Sequence, residues 1–121
     1  MYAVPNDGQS ELLNAEDMPG RIVLVDRGEV PILEKVLRAQ AAGAVGVIVA
    51  DNGGCSADLT DCGRVGGVKD GGFARKDGAR VWLSITVPVA MVTQHAGTRF
   101  KGMMALRAVE VPGLGEQLVE R

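Results

Sequence analysis

Arg-Ile-Val-Leu-Val-Asp-Arg-Gly-Glu-Val-Pro-Ile-Leu-Glu-Lys-Val-Leu-Arg-Ala-Gln-Ala-Ala-Gly-Ala-Val-Gly-Val-Ile-Val-Ala, residues 21–50, decides the fold. Residues 22–25 and 45–49 are aliphatic, largely β-branched runs, the pattern of strands covered on both faces. Between them, Leu33, Val36, Leu37 and Gln40/Ala41 fall on one helical face, and Glu34, Lys35 and Arg38 fall on the other. Pro31 suits the first helical position, where a missing N–H costs nothing. Glu34 and Arg38 form an i,i+4 pair worth about 0.3 kcal/mol, and Gly43 stops the helix. Strand, crossover helix and second strand make a βαβ unit, with parallel strands and a right-handed connection.

Working outward, residues 2–4 read as a short strand and Pro5-Asn6-Asp7-Gly8 as a turn. Residues 10–17 are polar and weakly patterned, and Met18-Pro19-Gly20 is a break. Downstream, from Asp51 to about Arg80, the pattern collapses into Asn-Gly-Gly-Cys, Asp-Cys-Gly and Asp-Gly-Gly. Nearly half of the 17 glycines lie in this part of the chain. A loop of that length in a small domain is expected to be functional or mobile. Residues 81–83 and 87–92 resume as apolar, strand-like runs, with Pro88 at a strand entry. Thr93 reads as the N-cap of a second helix reaching about Met104, with Phe100, Met103 and Met104 on its buried side. Gly97 inside that helix counts against it. Leu106–Val111 is a last strand, and residues 112–121 read as a linker or tail.

A chain of 121 residues makes one domain. The net charge of −2 gives no attraction to nucleic acid or anionic membrane. One Trp, one Tyr and two Phe provide no stacking platform for bases. No apolar run approaches the roughly 20 residues of a membrane span, and the first thirty lack a signal-type apolar core. The chain opens almost directly on strand-like Tyr2-Ala3-Val4, the look of a module taken from a longer protein.

The catalytic inventory is close to empty. His95 is the one histidine, and no His-Glu-x-x-His zinc motif exists. A Ser-His-Asp triad has only Ser10, Ser56 or Ser84 to draw on, none within Gly-x-Ser-x-Gly. His95, in the first turn of a helix, reads as a surface or capping residue. Asp51, Asp58 and Asp61 match no EF-hand spacing and read as solvated turn residues. Gly63, Gly66 and Gly67 lack the Gly-Lys-Ser/Thr of a phosphate cradle. Lys69, Arg75, Lys76 and Arg80, offset by Asp70 and Asp77, read as a solvated face. Cys55 and Cys62, with six residues between them, fit neither redox nor zinc Cys-x-x-Cys. They are either a disulfide ordering the loop, which requires an oxidising compartment, or two free thiols. No catalytic residue, metal site or cofactor is expected.

Taken together, Gly-Arg-Ile-Val-Leu-Val-Asp-Arg-Gly-Glu at 20–29, Glu34-Lys35-Val36, Ala39-Gln40-Ala-Ala-Gly43-Ala44-Val-Gly-Val-Ile-Val and Ile85-Thr86-Val87-Pro88-Val-Ala-Met-Val92 closely resemble the protease-associated (PA) domain. The resemblance runs from about 18 to 105, with 52–80 as its variable part. It implies an α/β (α+β) domain: a small open β-barrel or sandwich-like sheet with two flanking helices. The domain then spans 1–121, its core lying at about 18–111. Hosts of such domains include subtilisin-like proteases, zinc peptidases, sorting receptors, ubiquitin ligases and ER mannosidase-like proteins. The module is held to be non-catalytic, and residence in the secretory pathway lumen, a vacuole or endosome, or outside the cell is implied. Many members carry Arg-Gly-Glu/Asp-Cys-x-Phe after the first strand, the Cys pairing with an N-terminal partner. Here Val30 and Ile32 replace Cys and Phe, and no cysteine precedes Met18.

The expected role is a non-catalytic module that recruits a protein or peptide, including a glycoprotein, to an attached enzyme or receptor, or acts as its lid. The candidate surface is Arg27, Gly28 and Glu29, which match the cargo-contacting turn of sorting receptors, together with Ile32 beside them and Asp58, Asp61, Arg64, Lys69 and Arg75 from the loop. Equally, Arg27-Gly28 reads as the strand-to-helix turn and no more. Other readings are a purely structural domain packed on its host, and a small stand-alone enzyme or nucleotide binder, for which the motifs are missing. Nucleic acid and direct membrane insertion are not expected.

Overall fold

The parallel pairing expected of residues 21–50 is present. The computed structural model describes residues 1–28, 30–54 and 83–121. Strand β1 (Ile22–Asp26) pairs in parallel with β2 (Gly46–Ala50), from Ile22 opposite Gly46 to Asp26 opposite Ala50. Strand β3 (Val89–Val92) adds to the far side of β2, again in parallel, ending with Val92 opposite Ala50. The three strands therefore finish at one level. Tyr2 lies along the free side of β1 through an isolated parallel bridge to Leu24.

Alternation assigns the two faces. Val23, Val25, Val47 and Val49 face helix α1 (Ile32–Ala41) and pack with Ile32, Val36 and Ala39. Leu24, Ile48, Ala50 and Val92 face the other way, toward Phe100 and Met104 around α2 (Gln94–Gly102). On that side lies a second sheet, the antiparallel hairpin of β4 (Leu106–Val111) and β5 (Gly115–Glu120). Among the described residues the architecture is mixed α/β, with two helices and five strands in two sheets that do not close into a barrel. This agrees with the open arrangement that the resemblance implies.

Helix α1 ends as expected, and its last turn shows why. Gly43 has φ +94°, donates its N–H to Gln40 O at 3.0 Å, and Ala44 donates to Ala39 O at 3.0 Å. These are the paired bonds of a Schellman cap. A Cβ at Gly43 would also lie 3.1 Å from Pro19 Cα. Gly43→Ala is therefore expected to cost about 1–2 kcal/mol from the left-handed backbone alone. A lower urea midpoint at unchanged slope is the measurement that checks it.

Several details differ from the sequence reading. The buried face of α1 is Ile32, Lys35, Val36 and Ala39, with Leu33, Leu37 and Gln40 only partly covered. Lys35 is interior because its ammonium reaches Asp26 O at 2.8 Å. Its buried stem packs beside Gly8. Ile32 is completely buried in the core and offers a partner no surface. Met103 is 77% exposed because α2 ends at Gly102 and the chain turns away. Leu83 is 84% exposed and lies in a turn, not a strand. Residues 81 and 82 lie outside the described residues. Core packing starts before residue 18, at Ala3 and Leu12. Residues 112–121 are no tail: Pro112-Gly113, with Gly113 at φ +78° and Leu114 N donating to Val111 O at 3.0 Å, is the turn that leads into β5. Gly97 proves compatible with its helix for a packing reason. Its Cβ would sit 2.7 Å from Ala50 Cβ, so only glycine lets α2 lie this close to β2.

A polar cleft where three strands end

Because β1, β2 and β3 are parallel and finish together, the residues that follow them converge at one end of the sheet. In open α/β sheets this carboxyl end is where binding crevices form. A cleft of about 360 Å³ opens there. Asp26 and Arg27 come from the end of β1, Asp51 and Asn52 from the end of β2, and Gln94, Thr98 and Lys101 from α2. Asn6 and Asp7 from the N-terminal turn and Glu116 and Gln117 from β5 complete it.

Two ionic groupings make its floor. Arg27 Nη1 donates to Asp51 Oδ1 at 3.0 Å, with both side chains buried. Backbone ladders hold both residues in place: Arg27 N donates to Ala50 O at 2.9 Å, and Asp51 N donates to Val92 O at 3.0 Å. In the second grouping, the Tyr2 hydroxyl donates to Asp26 Oδ2. Lys101 Nζ sits 2.8 Å from Asp26 Oδ1 and 5.2 Å from the centre of the Tyr2 ring, an ion pair combined with a cation–π contact.

Burial, then the charge of Asp26 and the hydrogen bond to it, push the Tyr2 phenol far above its ordinary value of 10.0. The sign follows directly. With the folded value above the unfolded one, the contribution of the neutral phenol is complete below pH 10.0 and falls away as pH climbs beyond it. Tyr2 is the one tyrosine of the chain, so its absorbance reports a single group. Alkaline titration is expected to show no tyrosinate until the fold is lost, with the phenol's contribution to stability unchanged up to about pH 10 and declining above it. An ordinary tyrosinate curve in the folded protein would contradict this.

Of the residues expected at the site, Arg27 is in the cleft, but buried and ion-paired. Gly28 is half-buried against Asp7, whose Oδ2 would be 2.8 Å from an added Cβ. Ile32 belongs to the core. Glu29, Asp58, Asp61, Arg64, Lys69, Arg75, Cys55 and Cys62 lie outside the described residues. His95 is exposed in the first turn of α2, and Thr93 caps that helix, its Oγ1 accepting from Ala96 N at 3.0 Å. Among the described residues, no group of three or more His, Cys, Asp or Glu is arranged to hold a metal ion. The sequence reading missed Asn6, Asp26, Gln94, Thr98, Lys101 and Gln117. Asp26 and Asp51 could have been found as the polar residues ending two parallel strands. Nothing local marks Tyr2 or Lys101.

The family model of the PA domain matches residues 2–100. Human ER degradation-enhancing alpha-mannosidase-like protein 3 is 44% identical over 55 residues, 45% of this chain and 6% of that protein. A PRADC1-like protein of Drosophila melanogaster is 45% identical over 47 residues, 39% of this chain and 24% of that protein. A C5a peptidase of Streptococcus pyogenes is 43% identical over 51 residues, 42% of this chain and 4% of that protein. The match thus spans about a quarter or less of the length of these relatives.

Proposed function

The chain belongs to the PA domain family, and on that premise we propose that it is a non-catalytic module that presents its polar cleft to a protein or peptide. It is a protease-associated module, and the relatives carry the matching segment within much longer chains. The observation that supports recruitment over chemistry is the state of the cleft's charges. Arg27 is committed to Asp51 and Lys101 to Asp26, which fixes a polar surface. Around that floor, the exposed Gln94, Thr98 and Glu116 form a rim able to hydrogen-bond an extended backbone. Residence in the secretory pathway or outside the cell is part of this reading, supported by the relatives named for the ER and as a streptococcal C5a peptidase.

Panning the chain against an array of extended peptides, beside a Gln94→Arg/Thr98→Arg variant, tests the proposal. Both positions are exposed on one face of α2, so the fold tolerates the change. Binding is expected to fall at least about tenfold, the effect of losing roughly 1.4 kcal/mol of contact. Undiminished binding would place the partner elsewhere.

A second reading, packing against neighbouring host domains, is favoured by the opposite end of the sheet. There Ile22 and Val45 are exposed beside Pro88 and Ala90 in an apolar depression. Charge placed at Ile22 and Val45 separates the two readings: it disturbs docking of the host while sparing peptide capture.

A further inference from the structure

The chain has three asparagines, and two of them are clamped. Asn6 Nδ2 donates to Ala3 O and Leu118 O at 2.8 and 2.9 Å, while its Oδ1 accepts from Leu118 N at 2.7 Å. Asn14 Nδ2 donates to Tyr2 O at 2.8 Å, and its Oδ1 accepts from Val4 N at 3.0 Å. Asn52 differs. It is exposed at the mouth of the cleft and is followed by Gly53, which has no Cβ to shield its backbone nitrogen. Two contacts surround the pair: Gly53 N donates to Asp51 Oδ2 at 3.0 Å, and Gly54 N donates to Asn52 Oδ1 at 3.0 Å.

We propose that Asn52 is a self-modifying site, losing its amide nitrogen through a cyclic imide formed with Gly53. The Gly53 nitrogen attacks Asn52 Cγ, forming the new C–N bond while its proton passes to Asp51 Oδ2. The bond from Cγ to Nδ2 then breaks, and ammonia departs with that proton. Water adds to either carbonyl of the five-membered ring and opens it to aspartate or isoaspartate, with no change of oxidation state. Both contacts lie where charge moves. Asp51 stands on the proton that must leave, and the Gly54 N–H stands on the oxygen that becomes negative as nitrogen adds. The product places a new carboxylate beside the Arg27–Asp51 pair. In its isoaspartate form it also lengthens the backbone leaving β2 by one carbon. If the cleft is the recruiting surface proposed above, the modified chain differs from the fresh one in what it accepts. The chemistry itself does not depend on that reading.

The test follows the purified folded chain at mildly alkaline pH by intact mass, peptide mapping and enzymatic methylation of isoaspartate. A synthetic peptide of residues 47–54 and the chain unfolded in urea are run in parallel. The folded chain is expected to gain about one dalton, located at Asn52, no more slowly than the peptide, with Asn6 and Asn14 unchanged. Asn52→Gln is expected to remove the gain, and urea to slow it or leave it equal to that of the peptide. Slower conversion in the folded chain than in the peptide would overturn the proposal, as would a mass gain that persists in Asn52→Gln.

Discussion

Replacing Arg27 with methionine is expected to lower the stability of the domain by about 3–5 kcal/mol, the cost of leaving one partner of a buried ion pair behind. Neither side chain has appreciable access to water, at 0% and 3% exposure for Arg27 and Asp51. The abandoned Asp51 carboxylate therefore cannot recover its hydration without opening the end of β2. The double variant Arg27→Met/Asp51→Leu is expected to lie closer to wild type than Arg27→Met alone, because two apolar groups leave no uncompensated charge. Urea unfolding of the two single variants and the double closes the cycle. Additive losses would mean that the pair contributes nothing as a pair. The outcome also bears on recognition, since Arg27 matches the position at which sorting receptors of this family are held to touch cargo. In this fold its buried pair with Asp51 also ties the ends of β1 and β2 together.

The second large effect is expected at Asn6, through its role between the two sheets. Its side chain serves as a short strand partner for Leu118, offering a donor and an acceptor to the two backbone groups of one residue. Its own backbone N–H goes to the buried Gln117 side chain at 2.7 Å. Asn6→Ala strips Leu118 of both partners and leaves Ala3 O without its donor, a loss of roughly 2–3 kcal/mol. Asn6→Asp keeps the acceptor but sets a carboxylate against two carbonyl oxygens, so it is expected to do no better. Amide exchange distinguishes this from a uniform loss of stability. The Leu118 amide should lose protection before β1 and β2 do, and equal loss across all strands would refute the clamp.

How much of this was legible depends on the range of the interactions. The βαβ unit could be read because each of its signals is local: β-branched runs, Pro31 before the helix, and Gly43 at a left-handed position. The face of α1 is not legible in the sequence because charge alone assigns Lys35 to solvent, whereas its long stem is covered and its ammonium answered by Asp26 O. The final hairpin was within reach, since Pro112-Gly113 carries the preferences of a type II turn. A polar, glycine-flanked segment reads equally as tail and as strand when nothing local shows what it packs on. The cleft was legible in part. Asp26 and Asp51 stand at strand ends, but Tyr2, Asn6, Lys101 and Gln117 meet only through contacts spanning most of the chain, which no periodicity encodes.

The meeting of Tyr2 with β5 has a consequence for how such a unit is carried. Tyr2 N donates to Glu120 Oε1, and Arg121 N to Ala105 O, so residues near the two ends of the chain lie side by side. A polypeptide continuing beyond both would enter and leave through one narrow gate. To the surrounding protein, the folded unit then counts as a loop of a few residues in place of more than a hundred. By the logarithmic law of ring closure, that difference spares the recipient on the order of 2–3 kcal/mol of entropy. Spliced into a surface turn, it leaves the recipient's own folding cooperativity intact.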